Sequence, residues 1–335
     1  MDQPTDLPGP AQASWHGFLD GVVPLRPDLY RYCRHLTRSP WDAEDLAQDT
    51  LARAFVTLAQ MGHPPANPRA WLFRVASNLW IDRVRRARLD LPGVEPVPAP
   101  APREVREAAG TLLGQLAPQE RAAVVLKDVF DLSLDDIAAT LATTVGAVKS
   151  ALHRARGKLA EPTAAPVAAP RPAVLDAFCA AFNAGDLEGL TALLLDTSSV
   201  VVVGATTQYG PEAARRTVLT GMLFGVKRMT VDAKVLGIDA AFVQRAVQAP
   251  VRVEARPHRG AWVLLHWYAH EDGDAVRALT RLEIADDRVA RVDNYFFTPD
   301  VIAEVCAELG VPSRSNGYRW FLAPQRRPGV TDDDA

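Results

Sequence analysis

"TTVGAVKSALHRARGKL", residues 143–159, carries Lys149, His153, Arg154, Arg156 and Lys158 and no acid, in a chain of formal net charge −3. Val148, Leu152 and Ala155 recur at helical spacing and predict an amphipathic helix whose outer face is cationic. Thr143 or Thr144 is the expected N-cap. Just upstream, "SLDDIAATLA" (133–142) begins with Ser133 and, three residues on, Asp136, a capping-box-like start. Two short helices joined by "TTVG", the second carrying the cations, form the outline of a helix-turn-helix.

The 335 residues suffice for two or three domains, and 48% apolar with 23% charged residues is ordinary globular composition. A near-neutral balance excludes indiscriminate coating of nucleic acid, so any DNA contact must come from local patches. Cys33, Cys179 and Cys306 lie far apart with no CxxC or Cys/His cluster. They read as small apolar fillers, which argues against structural zinc, a disulfide framework or a metal cofactor. The first fifteen residues lack the basic and apolar regions of a signal peptide, and no apolar run reaches membrane-spanning length. A soluble, cytoplasmic chain without membrane association is expected, with no cofactor.

Two Pro/Ala-rich stretches, about Leu89 to Val105 and Ala160 to Val174, read as extended linkers. Before the first, "LYRYCRHLT", "PWDAEDLAQDTLARAFVTLAQ" and "NPRAWLFRVASNLWIDRVRRARLD" predict three helices. The last places Trp71, Leu72, Val75, Leu79 and Val84 on an apolar stripe, interleaved with arginines. After the second linker, helical "PAVLDAFCAAFNAG" and "DLEGLTALL", with Asp186 as N-cap, precede "SSVVVVGA" and helical "GPEAARRTVLTGML". Strand-like runs then follow near "MTVDAKVLGI", "VRVEARP", "AWVLLHWYA", "AVRALTRLEIA" and "RVARVDNYFF". This order predicts an α+β domain with antiparallel strands. "TPDVIAEVCAELG" closes it, and everything past Gly310 reads as a mobile tail.

"DAEDLAQDTLARAF", "WLFRVASNLWIDRVRR" and "LAPQERAAVVLKDVFDLSLDDIAATLATTVGAVKSALHRARGKL" together resemble the bacterial extracytoplasmic-function (group 4) sigma factors over about the first 160 residues. The resemblance implies two all-α domains: sigma-2 (1–90) and, after a linker (91–107), a helix-turn-helix sigma-4 domain (108–160). It also implies core RNA polymerase (β′ clamp helices, β flap) and promoter DNA as partners. Asp45, Gln48 and Asp49 would meet the clamp helices. Asn78, Arg83, Arg85 and Arg86 would contact the melted −10 element. Thr144, Lys149, Ser150, His153 and Arg154 would contact the −35 element. No catalytic residue is implied, because the polymerase does the chemistry.

"FCAAFNAGDLEGLTALLLDTSSVVVVGA" through "VDNYFFTPDVIAEV" resembles SnoaL-like (NTF2-like) domains, a cone of curved sheet around helices. It implies such a domain at 173–310, after a second linker (161–172) and before the tail (311–335). Sigma factors with this extension use it to regulate their own activity. The best-described group carries a DGGGK motif and an NPDK-like motif where this chain has "VGATTQYG" and "FTPDVI". His266, Tyr268, Glu283, Asp293 and Tyr295 are candidate lining residues of a pocket for a small-molecule ligand; a surface ion pair and core aromatics are the competing reading. The functional alternative is a helix-turn-helix regulator with a ligand-binding or catalytic SnoaL-like tail.

Overall fold

The computed structural model describes residues 8–61, 63–89, 116–158, 171–225 and 249–318. The chain divides into two compact units, 1–165 and 166–335. The linker segments 91–107 and 161–170 and the strand expected at "MTVDAKVLGI" lie outside the described residues.

The described residues of the first unit are helical apart from short connections. Helices α1 (Pro8–Val22), α2 (Arg26–Thr37), α3 (Pro40–Gln60) and α4 (Pro68–Leu89) come first. Arg38 ends α2 in the left-handed conformation, at φ 68°. Ser39 then caps α3, its Oγ accepting from the Asp42 amide at 3.3 Å, with Pro40 pre-set for the first turn. Asn67 caps α4 the same way, accepting from the Ala70 amide at 3.0 Å. The core centres on Tyr32, stacked on Phe73 at 4.6 Å, with its hydroxyl 2.7 Å from the Ser77 Oγ.

On α4 the buried residues are Leu72, Phe73, Ala76 and Ser77. The buried face is therefore rotated from the expected stripe, and Trp71, Val75 and Leu79 are only half-buried. Phe73 and Ser77 meet Tyr32, a partner that periodicity does not reveal. Helix α1 was not signalled by the sequence at all; Trp15 and Phe18 hold it to Phe55 of α3, with ring centroids 5.2 and 5.5 Å away.

Helix α5 (Pro118–Val124) runs on as a π-helical turn, Val125–Val129, and is followed by α6 (Leu134–Thr140) and α7 (Val145–Lys158). Ser133 caps α6, accepting from the Asp136 amide at 3.0 Å.

The second unit is α+β. Helices α8 (Ala173–Asn183) and α9 (Leu187–Ala192) lead into β1 (Leu194–Val202) and β2 (Thr206–Tyr209). A helical stretch follows as α10 (Pro211–Ala214), a π turn (Arg215–Leu219) and α11 (Thr220–Phe224). Strands β3 (Arg252–His258), β4 (Ala261–Tyr268), β5 (Ala275–Ala285) and β6 (Arg288–Tyr295) precede α12 (Pro299–Leu309). The six strands form one sheet in the order β2-β1-β6-β5-β4-β3.

The sheet is mixed rather than purely antiparallel, because β1 pairs with β6 in parallel. Asn183 closes the β3 edge: its Oδ1 accepts from the Val253 amide at 2.7 Å and its Nδ2 donates to the Val253 carbonyl at 2.8 Å. A side chain here stands in for a neighbouring strand, which blunts an exposed edge.

Residues past Gly310 also depart from expectation. The Val276 amide donates to the Pro312 carbonyl and the Arg314 amide to the Val276 carbonyl, both at 2.9 Å. Residues 311–318 are thus a strap bound to the start of β5, not a free tail.

Register places Val200, Val292, Asn294, Thr280, Leu264, His266 and Val253 on one face of the sheet. Val200, Val253, Leu264 and Val292 share a core with Phe178, Phe182 and Leu190 of the helices. His266 is buried there, its Nε2 2.8 Å from the Thr280 Oγ1, which also accepts from the Asn294 Nδ2 at 2.9 Å. Burial pulls the His266 pKa from 6.5 down to about 3. Between those values the unfolded chain takes up a proton that the folded one refuses. The contribution is complete above pH 6.5 and is lost as the pH falls toward 3. Urea unfolding of the second unit should therefore weaken by up to about 1.4 kcal/mol per pH unit below the unfolded value. His266→Gln should flatten that slope; parallel pH profiles for the two proteins would refute the assignment.

Candidate nucleic-acid and polymerase interface

The outward face of α3 carries the three residues expected to meet polymerase. Asp45 and Asp49 are exposed and Gln48 is half-buried. Beneath them Glu44 is fully buried, paired with the Arg26 guanidinium and accepting from the Gln48 Nε2 at 2.7 Å. Gln48 is therefore oriented by a buried carboxylate. Asp49 accepts from the Arg83 Nη2 of α4 at 2.8 Å. A residue expected to meet polymerase and one expected to meet DNA are thus paired with each other.

Further along α4, Asn78, Arg85 and Arg86 are exposed, and Arg85 pairs with Asp82 at 2.9 Å. His63 is exposed in the loop before α4, its Nδ1 3.2 Å from the Pro64 carbonyl. Asn78 directly follows the buried Ser77 on α4, and the arginine cluster lies more than one turn beyond it.

On α7 the expected geometry is present in detail. The Thr144 Oγ1 accepts from the Ala147 amide at 3.1 Å and starts the helix. Val148, Ala151, Leu152 and Ala155 are buried, whereas Lys149, Ser150, His153 and Arg154 are exposed. Arg154 differs from its neighbours: its Nε donates to the Glu120 Oε1 at 2.9 Å. Glu120 has a 5% exposed side chain, and its Oε2 also accepts from the Ala117 amide at 3.1 Å. One carboxylate therefore caps α5 and ties down α7, leaving the Arg154 side chain 57% exposed.

The sequence did not signal Arg121. It is buried, donates to the Leu36 carbonyl of α2, and stacks 5.5 Å from the Trp80 ring of α4. Burial, with Arg38 nearby, pulls its pKa down to about 10, so it remains charged at neutral pH.

The candidate pocket residues of the second unit do not converge. His266 lies on the face that packs against α8 and α9, while Leu279↔Tyr295, Arg281↔Asp293 and Glu283↔Arg291 pair on the other. Glu283 is exposed, and Asp293 accepts from the Arg291 Nε at 2.8 Å. Tyr268 sits at the far end of β4 against Arg277. Asp293 and Tyr295 do share one face of β6, as strand alternation requires. What packs against each face, however, is decided by tertiary structure.

Residues 22–89 match the family model for Sigma-70 region 2, and residues 106–159 that for Sigma-70, region 4. The ECF RNA polymerase sigma factor SigL of Mycobacterium tuberculosis is 36% identical over 139 residues, 38% of this chain and 77% of SigL. The chain belongs to the ECF RNA polymerase sigma factors. SigE of Mycolicibacterium smegmatis is 35% identical over 163 residues, and the match spans 44% of this sigma factor and 61% of SigE. The crystal structure of the M. tuberculosis extracytoplasmic function sigma factor SigJ aligns over 85% of this chain and 98% of its own, at 21% identity with a TM-score of 0.31. Among the described residues no helix is long and apolar enough to cross a membrane.

The buried Arg26–Glu44 pair separates scaffold from surface in this site. Glu44→Ala removes the buried carboxylate that pairs with the Arg26 guanidinium and should cost about 3–5 kcal/mol of stability. Asp49→Ala, on an exposed pair, should cost under about 1 kcal/mol. Urea denaturation of both variants checks the contrast, and equal losses would contradict it.

Proposed function

We propose that the chain directs core RNA polymerase to specific promoters. In this reading sigma-2 (1–90) engages the β′ clamp helices through Asp45, Gln48 and Asp49. The same domain holds the melted −10 element with Asn78, Arg83, Arg85 and Arg86. Sigma-4 (108–160), seated on the β flap, reads the −35 element with Thr144, Lys149, Ser150, His153 and Arg154. The observation that carries the reading is α7: a capped helix with its apolar residues buried and Lys149, Ser150 and His153 outward, as major-groove recognition requires.

Promoter engagement also demands a rearrangement. Elements about 25 base pairs apart lie about 85 Å apart at 3.4 Å per step. A compact unit of about 150 residues has a radius of gyration of only about 15 Å. Both elements are engaged together only if the Arg121 contact opens. The segment between Leu89 and Leu116 is long enough to bridge that distance, at about 3.3 Å per extended residue.

We assign 171–318 to an NTF2-like regulatory domain in the cytoplasmic sigma factor. The strap extends it eight residues past the boundary expected from sequence, and the pairings of its polar residues favour regulation over catalysis. His266 is committed to Thr280, and Glu283 faces the other way.

Lys149→Ala and His153→Ala should each weaken promoter-directed transcription several-fold without lowering the unfolding midpoint. Lys149→Ala should also reduce the salt slope of DNA binding by about one unit. Undiminished transcription from both variants would remove α7 from the promoter.

A further inference from the structure

We propose that the second domain binds a carboxylate at Arg277, in a corner formed by Tyr268, Asn316 and the strap. Arg277 lies on β5 and is only 8% exposed. Its Nε donates to the Asn316 Oδ1 at 2.8 Å. The Asn316 Nδ2 in turn donates to the carbonyls of Arg277 at 2.6 Å and Phe296 at 3.0 Å. The guanidinium lies 5.3 Å from the Tyr268 ring centroid. The group is thus oriented on one side by an amide that is itself fully committed, and on the other by an aromatic face.

What Arg277 lacks, among the described residues, is an anion. No carboxylate pairs with it, and the Nη donors have no acceptor there. Burial lowers its pKa, against a smaller opposing influence of Tyr268, and the nearby cation Arg314 lowers it further. Arg314 is already neutralised by Asp272. His270 stands in the same field; burial and the cations Arg314 and Arg277 lower its pKa, and its Nε2 is buried without a partner. A side chain this buried, with no counter-charge among the described residues, is a position that a bound anion would stabilise.

The chemistry of the missing group follows from the donors left over. Two Nη groups in a plane form the fork that fits a carboxylate bidentately. One uncommitted positive charge matches a monoanion, whereas a phosphate dianion would bring unmatched charge into a buried corner. Tyr268, kept a neutral phenol by burial, and half-buried Phe296, 6.4 Å from it edge-on, offer an aromatic wall for an apolar body. The carboxylate comes either from a free aromatic or aliphatic acid, or from Asp332–Asp334 at the end of this chain.

The test is calorimetric titration of the full-length protein with benzoate, with inorganic phosphate for comparison. Saturable benzoate binding is expected, weakened at least tenfold in Arg277→Gln, intermediate in Arg277→Lys, and with phosphate far weaker. Asn316→Ala keeps the charge but frees the fork, and should lose several-fold in affinity even if Arg277→Gln fails to fold. In the triple variant Asp332→Asn, Asp333→Asn, Asp334→Asn, unchanged affinity identifies a free acid as the occupant. A gain of tenfold or more identifies the chain's own terminus. Absence of benzoate binding in both the parent and the triple variant overturns the proposal, as does binding that survives Arg277→Gln and Asn316→Ala undiminished.

Discussion

One guanidinium, that of Arg121, joins the two helical parts of the first unit. It is desolvated where α5 meets α2 and α4, and it is made tolerable by the Leu36 carbonyl and the face of Trp80. Beside it Phe130, at the end of the π turn, sits 4.9 Å from Phe73 and 5.9 Å from Tyr32, with Arg31 and Arg69 over its ring. Cations against aromatic faces are favourable yet far less costly to separate than a packed aliphatic core. The joint therefore has the properties of a contact that forms in the free protein and yields to a larger binding energy. Everything proposed for the two DNA-facing helices depends on its being breakable.

The local parts of this unit were legible because they rest on local physics. Ser133 and Thr144 are caps whose partners lie three residues away, and each acts as its position suggests. The sidedness of α7 followed from periodicity, since Val148, Leu152 and Ala155 pack inward. The exact buried face of α4 did not, because Tyr32 draws in Phe73 and Ser77 from 41 and 45 residues away. Arg121 carried no signal for a similar reason. Its neighbours along the chain look like an ordinary exposed helical turn, and only contacts made more than forty residues away bury it.

In the second unit the strands were readable from their valine-rich and alternating runs, but β2, four polar residues at an edge, was not. Its only definition is the ladder with β1. The candidate pocket residues do not converge, because alternation sorts residues into two faces without saying what packs on each. Arg277 escaped notice because a lone arginine in a strand normally faces solvent; its burial needs the strap, and the strap read as a tail.

The central claim, that this chain selects promoters for core polymerase, is tested most directly by mapping transcript 5′ ends. Purified core enzyme would transcribe genomic fragments with and without the full-length protein. The account predicts new, discrete start sites that depend on the protein and share two spaced upstream elements. Start sites identical to those of core enzyme alone would contradict it.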